Sequence, residues 1–179
     1  MNKGIVYLDM DGVLVNFVKG LESKGIKYPY DDSTLYSYMD KHYEEIFLDL
    51  PSMLTSKLFF DLYKENKGRV KFLTAVPKHW TFSMHAAGAI AKKKWLKSYI
   101  GDSFDEKDAI VVPTKYDKQN YAVVDGVVNY LVDDHPGTIR EFIGKGGNGF
   151  WYDSQNFDSN YQTQLGLICI KNIENWLKI

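Results

Sequence analysis

Continuous apolar runs of strand length recur along the chain at Ile5–Leu8, Val70–Leu73, Ala109–Val112, Tyr130–Val132 and Gly149–Tyr152, with a weaker one at Leu167–Ile170. Unbroken runs suit strands covered on both faces, as in a parallel sheet, whereas a sheet with one wet face alternates apolar and polar residues. One such run alone could equally be a buried helix segment, so the repetition carries the argument. Between the runs lie stretches with helical spacing. Ser83–Tyr99 carries Ala86, Ala89, Ile90, Lys93 and Leu96 at helical intervals, and Gly137–Ile143 follows a proline. The expected architecture is α/β: a Rossmann-like three-layer core built on a mostly parallel sheet.

The interval from Asn16 to Lys67 breaks this rhythm. About fifty residues separate the first two runs, where a simple crossover needs only about a dozen. Apolar positions at Leu35, Tyr38, Met39, Tyr43, Ile46 and Phe47 suggest a few short helices, and Leu50–Pro51 reads as a helix end. The expected organisation is thus a core over 1–15 and 68–179 with a small helical cap over 16–67, inserted after the first strand. Many of the 13 tyrosines and 10 phenylalanines fall between Phe17 and Tyr63. The glycine-rich stretch Gly144–Gly149 reads as a turn, because a phosphate-cradling loop would end in Lys-Ser or Lys-Thr.

Composition narrows the class of partner. Apolar content of 45% and charged content of 25% are ordinary for a soluble globular chain. A net charge of -1 offers nucleic acid no general attraction, which favours a small or locally bound partner over a stable nucleic-acid complex. Cys169 is the single cysteine, which rules out an intrachain disulfide or a cysteine-based zinc cluster. The few apolar residues ahead of Asp9 are too short for a secretory or membrane segment. The expectation is a cytoplasmic protein without a membrane partner, and a homodimer is compatible with it.

Two acidic pairs end apolar runs. Asp9-Met10-Asp11-Gly12 closes the first, at the strand end where open α/β sheets build ligand sites. A carboxylate ending a buried strand needs a cation or several donors to keep its charge, and a hard divalent metal meets that need. Asp133-Asp134 ends Tyr130-Leu131-Val132 in the same way, so parallel strands would bring four carboxylates to one edge. The plain alternatives are a turn cap for the first pair and a helix N-cap before Pro136 for the second. Oxygen-only ligands point to Mg2+. Thr74, ending the run before it, and Lys118, in a polar loop, supply a hydroxyl and an ammonium suited to phosphate oxygens. The plain readings here are a turn threonine and a solvated lysine.

With these motifs in order, the chain resembles the haloacid dehalogenase (HAD) superfamily. Its pattern is Asp-x-Asp, a strand-ending Thr or Ser, a Lys and a late acidic pair. More narrowly, Asp9–Leu14 with Phe17, Leu131–Pro136 and Lys94–Gly101 are similar to 5'(3')-deoxyribonucleotidases. The resemblance implies a Mg2+-dependent phosphatase. In it Asp9 is the nucleophile that becomes phosphorylated, Asp11 is the general acid and base, and Thr74 and Lys118 hold phosphate oxygens. The metal would be held by Asp9, Asp11 through its backbone carbonyl, Asp134, and Asp133 directly or through water. Spacing toward Ala122 favours Lys118 as the motif lysine, with Lys115 in reserve. The nucleotidases typically have Ser after the threonine and Arg after the acidic pair, where this chain has Ala75 and His135. Those departures bear on the substrate. Phe17, Ala75, Lys115 and His135 are the expected substrate contacts, and the expected substrate is a small phosphate monoester, a deoxyribonucleotide by the narrower likeness. Cap aromatics Phe17, Tyr28, Tyr30, Tyr36, Tyr38 and Phe47 could stack a base, although packing within the cap is their plainer role. The alternatives are a phosphatase of another small ester or of nucleic-acid 3' ends, and a non-catalytic binding module.

Overall fold

The structure is a computed structural model and describes residues 4–155 and 158–178. Its centre is a five-stranded sheet of β1 (Val6–Leu8), β2 (Val70–Ala75), β3 (Ala109–Val112), β6 (Tyr130–Asp133) and β7 (Asn148–Trp151), in the order β3-β2-β1-β6-β7. Every pairing in it is parallel. A separate antiparallel hairpin joins β4 (Val123–Val124) to β5 (Val127–Val128). Asp125 and Gly126 turn it, both at positive φ, a conformation that Asp-Gly adopts readily.

The continuous apolar runs are explained by cover on both faces. Val6, Leu8, Val70, Phe72, Tyr130 and Val132 point into one core with residues such as Phe59, Trp95, Cys169 and Ile173. These come from α3 (Ser56–Glu65), α4 (Phe82–Ile100) and α6 (Ser159–Lys178). The alternate residues Tyr7, Leu73 and Leu131 meet Ile139 and Phe142 of α5 (Pro136–Gly144) on the opposite face. The chain runs outward from β1 through β2 to β3, and then outward on the other side through β6 to β7. Right-handed crossovers taken in opposite directions place their helices on opposite faces, which gives the doubly wound α/β architecture expected from the sequence.

Three sequence expectations need correction. Leu167–Ile170 is not a strand but part of the 20-residue helix α6, whose buried positions Gln162, Gly166, Cys169, Ile173 and Leu177 keep helical spacing. The run looks continuous only because exposed Leu167 and Ile168 adjoin them. In α4 the buried stripe is Gly88, Ala91, Lys92, Trp95 and Leu96, with Ile100 beyond it, so the expected set was largely displaced around the helix; Ile90 is 55% exposed. Leu50–Pro51 closes a run of turns, because the second inserted helix already ends at Lys41.

Between β1 and β2 lie α1 (Phe17–Ser23), α2 (Asp32–Lys41) and α3. Asn16 caps α1 by accepting from the Lys19 N–H, and Asp31 caps α2 by accepting from the Thr34 N–H, each satisfying a helix-end donor. Phe59 of α3 meets the ring of Tyr152 edge-on at 5.7 Å, so this helix packs into the main core. Asp40 of α2 accepts from the Trp80 indole at 2.8 Å and lies 2.7 Å from His79 Nε2, fastening the insertion to the loop after β2. Among the described residues, no helix is long and apolar enough to cross a membrane.

Candidate active site

The sheet's switch point lies between β1 and β6, where the chain's two outward excursions begin. In open α/β sheets the crevice at the carboxyl ends of such strands is the usual ligand site. Register brings the acidic pairs together there. Leu8 pairs with Val132, and the Asp9 N–H donates to the Val132 carbonyl at 2.9 Å. The following residues Asp9 and Asp133 are therefore neighbours. Beyond Asp9 the chain folds back tightly, with the N–H groups of Leu14 and Val15 both 2.8 Å from the Met10 carbonyl.

Lys118 stands between the strand ends. Its Nζ donates to Asp133 Oδ2 at 2.7 Å and lies 2.8 Å from Asp9 Oδ1. The second contact is a buried ion pair. All three side chains are almost completely buried. Burial works against the Lys118 charge, but the Asp9 and Asp133 carboxylates more than offset it and raise its pKa. Lys118 is thus the lysine at the acidic site, while Lys115 lies at the surface, 3.1 Å from His135 Nε2.

Positive charge falls short at this edge. Asp9, Asp133 and Asp134 can bring one carboxylate oxygen each within 4.8 Å of one another, and Lys118 is the ammonium set among them. Burial pushes Asp133 up to about 6 despite Lys118. Asp134 is raised well above the ordinary carboxylate range, by burial and then by Asp9 and Asp133. Crowded, desolvated carboxylates of this kind accept a cation readily. The all-oxygen donor set of Asp9, Asp133 and Asp134 fits Mg2+. The Asp11 side chain is not one of these three carboxylates; the sequence assigns Asp11 a ligand role through its backbone carbonyl.

Asp133 and Asp134 do not cap α5. His135 does, with Nδ1 accepting from the Thr138 N–H at 3.1 Å, which leaves both carboxylates to the site. Asp133 Oδ1 accepts the His135 N–H at 2.8 Å, and Ser154 donates to Asp134 Oδ2 at 3.2 Å. Burial and then the Lys115 ammonium lower the His135 pKa.

Lys92 escaped the sequence reading. This fully buried lysine of α4 donates to Asp11 Oδ2 at 2.6 Å and to Thr74 Oγ1 at 3.1 Å. The signal was present, since Lys92 falls on the helix stripe set by Gly88, Ala91, Trp95 and Leu96. Its position within a run of three lysines disguised it as solvated surface.

A cavity of about 160 Å³ opens beside the acidic cluster, lined by Asp11, Gly12, Asp134, Phe17, Tyr28 and Tyr30 among others. Tyr28 and Tyr30 meet edge to face at 5.5 Å. Phe47 stands behind this wall, 6.3 Å from Phe17 and 6.0 Å from Trp80, whereas Tyr38 stacks on His42 at 4.3 Å and Tyr36 meets His79 at 5.0 Å. Ala75 and Lys115 line a neighbouring groove with Tyr36 and Tyr116. The structure therefore gathers Asp9, Asp11, Thr74, Lys118, Asp133 and Asp134, puts Phe17 beside them, and sets Ala75 and Lys115 in the adjoining groove.

No family model matches the chain, and no curated protein matches it. Among solved structures, the HAD domain of the effector protein Lem4 from Legionella pneumophila is similar at 15% identity over 83% of this chain and 84% of that one, with a TM-score of 0.41. An inactive mutant of the same domain is similar at 13% identity over 99% of this chain and 100% of that one, with a TM-score of 0.43.

Proposed function

We propose that this chain is a Mg2+-dependent phosphatase that works through a phosphorylated Asp9 and takes a deoxyribonucleoside monophosphate as substrate. The observation that carries the reading is the cluster of Asp9, Asp133 and Asp134, with the Lys118 ammonium paired to the first two, at the switch point of a parallel sheet.

Asp9 follows β1 at the switch point, with the Lys118 ammonium 2.8 Å from its Oδ1, a position that suits its carboxylate to attack phosphorus. Phosphoryl transfer forms the bond from Asp9 oxygen to phosphorus and breaks the bond from phosphorus to the ester oxygen. Asp11 gives that oxygen its proton and then takes one from the water that hydrolyses the aspartyl-phosphate. Lys118 offsets the repulsion between the Asp9 carboxylate and an incoming anion, and the Thr74 hydroxyl donates to a phosphate oxygen. Asp9, Asp133 and Asp134 would hold Mg2+, which when bound neutralises phosphoryl charge.

The cavity beside Asp11 receives the leaving group. Its volume is of the order that holds one benzene-sized ring, and Phe17, Tyr28 and Tyr30 supply the aromatic wall. Stacking contributes roughly 1–3 kcal/mol per base, or about 5- to 150-fold in affinity.

The test compares kcat/KM for dUMP, dTMP, dGMP and deoxyribose 5-phosphate at one magnesium concentration. The pyrimidine nucleotides should lead, dGMP should follow and the base-free ester should be poor. Preference for the sugar phosphate would reject the nucleotidase reading and keep the phosphatase. Turnover of a 3'-phosphorylated oligonucleotide above all of them would transfer the assignment to nucleic-acid ends.

A further inference from the structure

Lys92 is the one lysine on the sheet-facing stripe of α4, and its side chain is fully buried. An ammonium taken out of water costs several kcal/mol unless it is paired and hydrogen-bonded. A methionine or leucine would fill the same space without that cost, so packing does not account for the residue. Its partners do. Nζ donates to Asp11 Oδ2 at 2.6 Å and to Thr74 Oγ1 at 3.1 Å, and it sits 4.1 Å from the centre of the Phe47 ring. One cation thereby joins the turn after β1, the end of β2 and the inserted segment.

Both polar partners are held in a defined sense. Asp11 is gripped by one oxygen, while Oδ1 has no hydrogen-bond partner among the described residues. Thr74 Oγ1 accepts from Lys92, so the hydroxyl's single proton must be donated elsewhere. Asp11 also lines the cavity that would receive the leaving group.

We propose that Lys92 is a positioning residue for the proton transfer of this reaction. It fixes the Asp11 carboxylate so that Oδ1 gives a proton to the leaving oxygen and recovers one from water, and it turns the Thr74 hydroxyl proton toward the phosphate. This rests on the phosphatase reading given above. General acid catalysis contributes roughly 10²- to 10⁴-fold when the leaving group is a poor one. An activated leaving group needs little protonation and gains little from a well-placed acid.

The experiment replaces Lys92 by methionine in the full chain and measures steady-state kinetics with magnesium on two esters: the best nucleoside monophosphate and p-nitrophenyl phosphate. For Lys92→Met, kcat/KM on the nucleotide, which reports the steps up to release of the leaving group, should fall by about 100-fold or more and kcat/KM on p-nitrophenyl phosphate by less than about 10-fold, because hydrolysis of the shared phosphorylated Asp9 does not enter that ratio. Lys92→Gln keeps a donor and should recover part of the nucleotide rate; it carries the comparison if the methionine variant loses the near-ultraviolet circular dichroism of folded protein. Equal losses on the two esters, or an unchanged nucleotide rate, would overturn the inference while leaving the phosphatase standing. Wild-type protein that turns over neither ester would overturn both.

Discussion

A β-carbon at Gly12 would fall on the carboxylate of Asp134. The tight turn after β1 and the acidic end of β6 therefore share one space, and Gly12 also holds φ +76, where a side chain costs roughly 1–2 kcal/mol. Gly12→Ala should accordingly lower both stability and activity, because strain adds to displacement of Asp134. The check is a denaturant titration beside a magnesium-dependent assay. A variant with wild-type stability and rate would show that the two segments are not coupled.

Asp9→Asn should leave the fold intact and remove turnover, by roughly 10³-fold or more, because a near-isosteric amide cannot act as the attacking carboxylate. Phosphate release by purified variant and wild-type protein, with circular dichroism as the fold control, measures this. Equal rates would remove Asp9 from the nucleophile's role.

Chelation should stop catalysis and magnesium should restore it. Asp134→Ala should weaken magnesium binding by about 10-fold or more, as loss of one hard-cation ligand does. Isothermal titration calorimetry gives the affinity directly and does not depend on knowing the substrate. Full activity in excess chelator would contradict the role given to the acidic cluster.

Lys118→Met removes the ammonium that lies 2.8 Å from Asp9 Oδ1 and 2.7 Å from Asp133 Oδ2. Stranding buried carboxylates in this way costs roughly 3–5 kcal/mol. The variant should unfold at lower denaturant than wild type, and magnesium should recover a larger part of its stability than it adds to the wild type. Equal stability of the two proteins without metal would mean that Lys118 does not compensate the cluster.

The doubly wound sheet was legible because its strands are covered on both faces, so Val70–Leu73 and Tyr130–Val132 read as short continuous apolar runs. The acidic pairs were legible because a strand that ends in aspartate marks its own carboxyl end. Local pattern gave way where one face of a long helix mattered. In α4, Ile90 is exposed and Lys92 buried, the reverse of what their side chains suggest, because Asp11 and Thr74 compensate the ammonium from two other segments. Likewise, His135 rather than either aspartate caps α5, a choice invisible in the order of residues. Sequence alone determined which carboxylates end the strands. Register and helix placement, which bring residues 81 positions apart within hydrogen-bonding distance, decided that Lys118 meets Asp9 and Lys92 meets Asp11, because an ion pair between distant segments leaves no periodicity in either one.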